Sequence, residues 1–286
     1  MDFLDRLIDL ALDEDLSAAG DVTTQALIPE GSRGRAELWA KEPLVLAGSA
    51  AFARVFTRLE AEAEVRFTAS DGTRIAGRQA LASVEARLRT LLIGERTALN
   101  ILQRTCGIAT LAARAADAVR GTPLRILDTR KTSPGMRALS KEAVRAGGAS
   151  NHRFGLFDGV LIKDNHLVAV GGDVEAAVKR ARAHAPQLVK VEVEVTRLDQ
   201  LPAAIAGGAD VVLLDNMDDR QVAEAVRMAA GRIRLEVSGN VTVERLPRLA
   251  QLGIDFVSMG ALTHSARAMD LSLEIVPLVS PRHPGR

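Results

Sequence analysis

Aromatic side chains are scarce in this 286-residue chain, which has seven Phe, one Trp and no Tyr. Little surface is left on which bases could stack, and a formal net charge of only +1 gives no electrostatic footprint for nucleic acid. The single cysteine, Cys106, excludes an internal disulfide and a cysteine-based zinc site, and it fits a reducing compartment. No apolar run is long enough to cross a bilayer. The opening residues, MDFLDRLIDLAL, are acidic and amphipathic rather than a basic start leading into an apolar core. The expectation is a cytoplasmic protein with no nucleic-acid or membrane partner.

What the chain does have is a globular composition, 47% hydrophobic and 26% charged. Its length is enough to bury a large core split between a smaller and a larger domain. Its charge is unevenly spread. Between Ile126 and His166 seven Lys or Arg (Arg130, Lys131, Arg137, Lys141, Arg145, Arg153, Lys163) face four acids, with His152 and His166 added. Arg130 and Lys131 follow the apolar run Ile126-Leu127, and Lys163 follows Val160-Leu161-Ile162. Such short branched runs read as buried strands. Cations at their exits are placed to converge on an anionic ligand at one end of a sheet or barrel.

Phe3, Leu4, Leu7, Ile8 and Ala11 recur at helical spacing, predicting an opening helix that ends near Leu12 and gives way to a loop through Thr24. Short alternating runs from Arg33 to Leu92, around a helical piece at Ala50 to Leu59, predict a small α+β domain. A long helix is expected from about Glu95 to Val119, stopped by Gly121 and Pro123. Strands then alternate with helices. They are predicted at Arg125 to Thr129, Gly159 to Lys163, Leu188 to Val195, Asp210 to Leu214, Arg232 to Val237 and Ile254 to Ser258. The helices between are roughly Met136 to Ala146, Val174 to Ala183, Leu198 to Ala206, Arg220 to Ala229 and Val243 to Leu252, with Asp173 and Asp218 as N-caps. Strands joined by crossover helices pair in parallel. In the second half three strands start about 22 residues apart, and no Gly-rich dinucleotide fingerprint follows the first strand, which favours an α/β barrel over a doubly wound sheet. The domain boundaries expected are 1–110, with the C-terminal tail packing on it, and 111–286.

The strand exits read Thr129-Arg130-Lys131, Lys163-Asp164-Asn165, Glu194, Asp215-Asn216, Ser238-Gly239-Asn240 and Met259-Gly260. Barrel enzymes place reacting groups at that face. Arg130, Lys131, His152, Arg153 and Lys163 suit carboxylates or phosphates. Glu194 and Asp215 are hard oxygen donors of the kind Mg²⁺ accepts beside a phosphorylated substrate. Ser238-Gly239-Asn240 and Gly260 lie in short turns whose N–H groups can approach a phosphate. Together these groups describe a site for a doubly anionic small molecule beside a phosphorylated, metal-bound co-substrate.

The segments DTRKTSPG, GGASNHRFGLFDGVLIKDNH, VKVEVEV, ADVVLLDN, LEVSGN and DFVSMGALTHS resemble the quinolinate phosphoribosyltransferase family. So do ALDEDLSAAGDVTT, AKEPLVLAG and GERTALNILQRTCGIAT near the start, so the likeness spans nearly the whole chain. It implies transfer from phosphoribosyl pyrophosphate to quinolinate with loss of pyrophosphate and CO₂, giving nicotinate mononucleotide for NAD biosynthesis, with Mg²⁺. It also implies a seven-stranded α/β barrel, an N-terminal α/β sandwich, and a homodimer or higher homo-oligomer. By the same resemblance Arg130, Lys131, His152, Arg153 and Lys163 bind the quinolinate carboxylates, the lysines also facing the donor. Arg96 reaches the neighbouring subunit's site. Glu194 and Asp215 lie near the ribose hydroxyls and the metal, and Ser238, Gly239, Asn240 and Gly260 hold phosphate. Lys131, Lys163, Glu194 and Asp215 are the expected catalytic groups. Ser133, Ala86, Ala146 and Ala149 depart from the family's common residues, none of them removing a charge.

Other polar residues have plainer readings. His184 reads as an exposed helix residue, His283 sits in a Pro-rich tail, and Cys106 reads as a small core residue. Lys179, Arg180 and Arg182 read as a solvated helix face. His264 falls either to capping or packing or to the phosphate turn. Arg137, Lys141 and Arg145 share one helix face, as solvated surface or as a second anion-facing stripe. Two other functions compete: a paralogue of the same fold acting on another anion, such as the molybdenum-transport-associated relative, and a non-catalytic barrel that senses a phosphorylated metabolite. The intact NHR and LIKDNH motifs argue against the first, and the joint presence of Glu194, Asp215 and five cations against the second.

Overall fold

The opening amphipathic repeat forms helix α1 (Phe3–Leu16), a turn longer than the sequence predicts. Asp13-Glu14-Asp15 continue the helix on its exposed side, where carboxylates are tolerated. Asp21 then caps a second helix, α2 (Val22–Leu27), its side chain accepting the Thr24 N–H, in a stretch expected to be loop. Strands β1 (Arg33–Ala40) and β2 (Leu44–Val45), helix α3 (Ser49–Leu59) and strands β3 (Glu64–Phe67), β4 (Arg74–Ile75) and β5 (Gln79–Arg87) follow. Helix α4 (Leu88–Ala118) begins straight after β5 and well before the expected Glu95. Leu88 to Leu92, expected to end the alternating runs, is helical instead, and Gly94 lies inside the helix. A Cβ there would lie 2.9 Å from a Phe56 ring carbon, so this glycine serves close packing inside a continuous helix.

The alternation that follows is β6 (Arg125–Leu127), α5 (Arg137–Ala146), β7 (Val160–Ile162), α6 (Asp164–Ala169), α7 (Val174–His184) and β8 (Val191–Val195). It continues with α8 (Leu201–Ala206), β9 (Val211–Asp215), α9 (Asp219–Ala229), β10 (Arg234–Ser238), α10 (Leu246–Leu252), β11 (Phe256–Ser258) and α11 (Ala261–His264). Strand β12 (Leu271–Pro277) closes the series. Short 3₁₀ turns, Leu198–Gln200 and Val243–Arg245, precede α8 and α10. All six expected strands are present, and the Asp173 and Asp218 caps accept from Ala176 N–H and Gln221 N–H. The structure describes residues 3–278; His283 lies outside them. Among the described residues no helix is long and apolar enough to cross a membrane.

Two units emerge. The first gathers the described residues up to Leu111, Pro134–Gly147 and those from Ala266 onward. Its antiparallel sheet runs β12-β1-β5-β3, over a core in which Phe52 meets Phe56 and Phe67 edge-on, with centroids 5.3 and 5.6 Å apart. Burying each such ring contributes about 1.5–3 kcal/mol. Cys106 is a buried member of this core, and burial pushes its thiol up to about 12. Lys141 on α5 is only 2% exposed. The Arg137/Lys141/Arg145 row is therefore no uniformly solvated face.

The second unit, Ala112–Ser133 and Gly148–Ser265, holds the parallel sheet β6-β11-β10-β9-β8-β7. Beyond β6 a single parallel bridge joins Leu127 to Ser150. Every central strand is buried, from Val191–Val195 to Val211–Leu214, as a parallel sheet covered on both faces requires. Close helix packing uses Gly207, whose added Cβ would lie 2.8 Å from Val178 Cβ. His184 is exposed at the end of α7, as are Lys179 and Arg180. Arg182 instead pairs with Asp210 and donates to Val189 O.

Candidate active site

Side chains two apart on a strand share a face, and in the second unit that rule assembles a wall. Leu161 and Lys163, Leu213 and Asp215, and Glu236 and Ser238 all reach one cavity of about 650 Å³, a size suited to small ligands. Register places Glu194 and Glu236 on either side of Leu213, and Asp215 beside Ser238. All the expected site residues except Arg96 line this cavity, together with His264. Arg96 is exposed on α4. The cavity lies at the C-terminal ends of the strands, where the sequence pattern places the chemistry.

The cations are held by specific partners. Lys163 Nζ lies 3.1 Å from Glu194 Oε2, whose side chain is 8% exposed. Lys163 N–H donates to His166 Nδ1, which ties the start of α6 to the end of β7. Arg153 Nη1 donates to Gly159 O at 2.9 Å. Burial lowers the Arg153 pKa and the nearby Arg130 charge lowers it further, against the opposing pull of Glu192. Lys131 is exposed, and its carbonyl accepts the Thr263 hydroxyl at 2.7 Å. A Cβ on Gly260 would come within 3.0 Å of both Lys131 Cδ and His264 Nε2, so Gly260 leaves room for those two side chains.

Three acids of this site carry no role in the sequence reading. Asp128, fully buried, accepts the His152 N–H at 2.8 Å and the Asn151 amide at 2.7 Å, fixing the segment that carries His152 and Arg153. Glu192 and Glu236 lie beneath His152, whose Nε2 is 3.0 Å from Glu192 Oε2 and 3.8 Å from Glu236 Oε2. Their Oε1 atoms are buried with no hydrogen-bond partner among the described residues. Burial and the Glu192 charge push Glu236 up to about 8, well above the ordinary carboxylate range. Burial opposes protonation of His152, but the Glu192 hydrogen bond and the Glu236 charge outweigh it and raise its pKa. Nδ1 accepts the Arg153 N–H at 2.7 Å, which places the first ring proton on Nε2. The signal for both glutamates was available: VEVEV and LEVS set an acid inside an otherwise apolar strand, where only an inward polar site accommodates it.

The ligand atoms of His152, Glu192 and Glu236 lie within 4.8 Å of one another, the one such cluster among the described residues. This spacing suits a metal ion: Nδ1 of His152 is held by the Arg153 N–H, and Nε2 faces the two carboxylates. Glu194 and Asp215 offer a different arrangement, two carboxylates on the wall of an open cavity. That is what Mg²⁺ accepts when waters and substrate phosphates complete its shell.

Two family models match most of the chain: Quinolinate phosphoribosyl transferase, N-terminal domain, over residues 21–106, and its C-terminal domain over residues 108–274. The chain belongs to the quinolinate phosphoribosyltransferase family. As a member it is a decarboxylating quinolinate phosphoribosyltransferase of NAD biosynthesis. It is 43% identical over 270 residues to the nicotinate-nucleotide pyrophosphorylase (carboxylating) of Mycobacterium leprae, covering 93% of this chain and 94% of that one. The probable enzyme of the same name from Bacillus subtilis is 39% identical over 272 residues, covering 95% and 93%. Among solved structures, NadC from Streptococcus pyogenes superposes with a TM-score of 0.90 at 40% identity, over 96% of this chain and 97% of that one.

Proposed function

We propose that quinolinate and phosphoribosyl pyrophosphate meet in the second unit's cavity, with the roles divided by charge. The observation that carries this reading is the convergence of Arg130, Lys131, His152, Arg153 and Lys163 with Glu194, Asp215 and the 238–240 turn on one cavity. Arg130 and Arg153 clamp the two carboxylates of quinolinate, Arg through paired hydrogen bonds. His152, held by Glu192 and Asp128, positions Arg153 and fills the floor beside it. Ser238, Gly239, Asn240 and Gly260 receive the donor's phosphates. Lys131 and Lys163 take up negative charge as pyrophosphate leaves.

Glu194 and Asp215 would hold Mg²⁺ together with the donor. Bound there, the ion supplies positive charge for the departing pyrophosphate. The same two carboxylates stabilise the positive charge that develops on the ribose C1 and ring oxygen. The pyridine nitrogen then attacks C1. With that nitrogen cationic, the adjacent carboxylate leaves as CO₂, and the electron pair left on the ring carbon is stabilised by the neighbouring positive charge until it takes a proton from water. The enzyme's cations thus orient the ring more than they activate it.

The functional domains are 1–110 and 111–286, with α5 and the C-terminal strand β12 gathered into the first unit. The two family models, 21–106 and 108–274, support that division. The parallel sheet belongs to a closed seven-stranded barrel with the segment around Ser150 as the seventh strand. Support comes from the edge of β6, where Ser150 N–H donates to Ile126 O at 2.8 Å and Asp128 N–H to Ser150 O at 3.2 Å. The protein works in the cytoplasm as a homodimer or higher homo-oligomer, with Arg96 entering the neighbouring subunit's site. The exposure of Arg96 and its absence from the cavity lining support this placement. One assay tests the reading: purified protein with quinolinate, phosphoribosyl pyrophosphate and Mg²⁺ should yield nicotinate mononucleotide and CO₂, and failure with all three present would overturn it.

A further inference from the structure

Asn216 follows β9 in the left-handed region, at φ 53°, and Gly239 and Asn240 after β10 are left-handed too, at φ 93° and 50°. Non-glycine residues adopt that conformation at a cost, and Asn is among the few that tolerate it. Two left-handed asparagines facing one another across adjacent strand exits call for a local reason. Hydrogen bonds supply it. Asn216 Nδ2 donates to Asp215 Oδ2 at 2.8 Å, and Asn216 Oδ1 accepts from Asn240 Nδ2 at 3.3 Å. The Asn216 backbone N–H donates to Ser238 O at 3.0 Å. A Cβ on Gly239 would come within 2.2 Å of Asn216 Oδ1, so the amide occupies the space that glycine leaves empty.

Packing does not hold this corner. Asn216 and Asn240 are exposed, and with Gly239 they line both the main cavity and a second one of about 440 Å³ beside it. These three residues are the lining that the two cavities share. With open space on both sides, its shape rests on the bonds that cross it. From this geometry we infer that Asn216 is a positioning residue for the phosphoribosyl donor: a bracket that sets the Asp215 carboxylate and the 238–240 turn in fixed relation. The inference rests on the assignment of Asp215 and that turn to the donor side.

The test compares Asn216→Asp and Asn216→Gly with the wild type. Aspartate keeps the left-handed backbone and the acceptor, but replaces the donor to Asp215 with a second negative charge. Glycine keeps the backbone and removes both side-chain bonds. KM for phosphoribosyl pyrophosphate is measured in steady state, Kd for quinolinate by calorimetry, and Tm by circular dichroism. A hydrogen bond to a charged group sets the expected rise in donor KM at about 10- to 100-fold, larger for aspartate, with quinolinate Kd and Tm unchanged. A donor KM equal to wild type in both variants overturns the bracket. A loss shared equally by quinolinate binding overturns the donor-side assignment beneath it.

Discussion

Glu60 and Glu236 are both buried glutamates, one in each unit, and they are treated in opposite ways. Glu60 in the first unit accepts the Arg87 N–H and lies 3.5 and 3.4 Å from the Arg33 and Arg87 guanidiniums. Burial works to raise its pKa, but the Arg87 N–H, Thr90 and the Arg87 charge outweigh that and lower it. Glu236 in the second unit has a buried acid, Glu192, for its neighbour and is driven up instead. A satisfied buried charge supports the fold. One left beside a like charge strains it, and such strain persists where a ligand site requires it. Glu60 thus uses its charge within the first unit's own fold, whereas Glu236 stands at the second unit's cavity.

The largest effect that could break this comparison is in turnover. Lys131→Ala should cut kcat by about 10²–10³-fold, the scale of losing one donor to transition-state charge, while circular dichroism and Tm stay as in wild type. Lys163→Ala should match it in activity and also lose some stability, because Glu194 is left buried without its partner. Unchanged activity with intact folding would remove the cavity's cations from the chemistry.

Specificity sharpens the same point. Nicotinate lacks the second carboxylate, so one cation of the Arg130–Arg153 clamp loses its carboxylate partner in the filled site. Such a defect costs roughly 3–5 kcal/mol, about two to four decades at ~1.4 kcal/mol each. Competition assays should show nicotinate as a very poor substrate and phthalate, which has both carboxylates but no nitrogen, as a competitive inhibitor. Efficient ribosylation of nicotinate would contradict the clamp.

In the first unit the expected effect is on stability. Glu60→Gln should cost about 1–3 kcal/mol at neutral pH, measured by urea unfolding, and leave kcat untouched. A lowered carboxyl pKa contributes stability above the unfolded value that is lost as pH falls. The deficit should therefore shrink toward acid pH.

Glu236→Gln gives the smallest and opposite signal. With the folded pKa at about 8, the native state binds the extra proton between the ordinary carboxylate range and that value. Wild-type stability from this group is greatest at acid pH and declines as pH rises toward 8. The glutamine variant should lack that decline, so its Tm relative to wild type should rise with pH. Parallel Tm profiles would mean that Glu236 is ionised like any surface acid.

The sequence alone determined the alternation of six branched strands with helices, because burial on both faces leaves an apolar run that no other element explains. It also determined which residues stand at the strand ends. Gly94 and Gly207 were illegible as packing contacts, since a glycine in a helical pattern looks the same whether it breaks the helix or admits a neighbour. Lys141 is buried where its spacing left open a solvated face or an anion-facing stripe, because amphipathic spacing says nothing about what a helix meets on its polar side. Glu192 and Glu236 lie 44 residues apart in the chain, and no local pattern pairs them under His152. Only the folded sheet, which sets β9 between their strands, brings them together beneath His152, and it joins Asn216 to the 238–240 turn across neighbouring strands, because such contacts are set by the fold and not by the chain's own spacing.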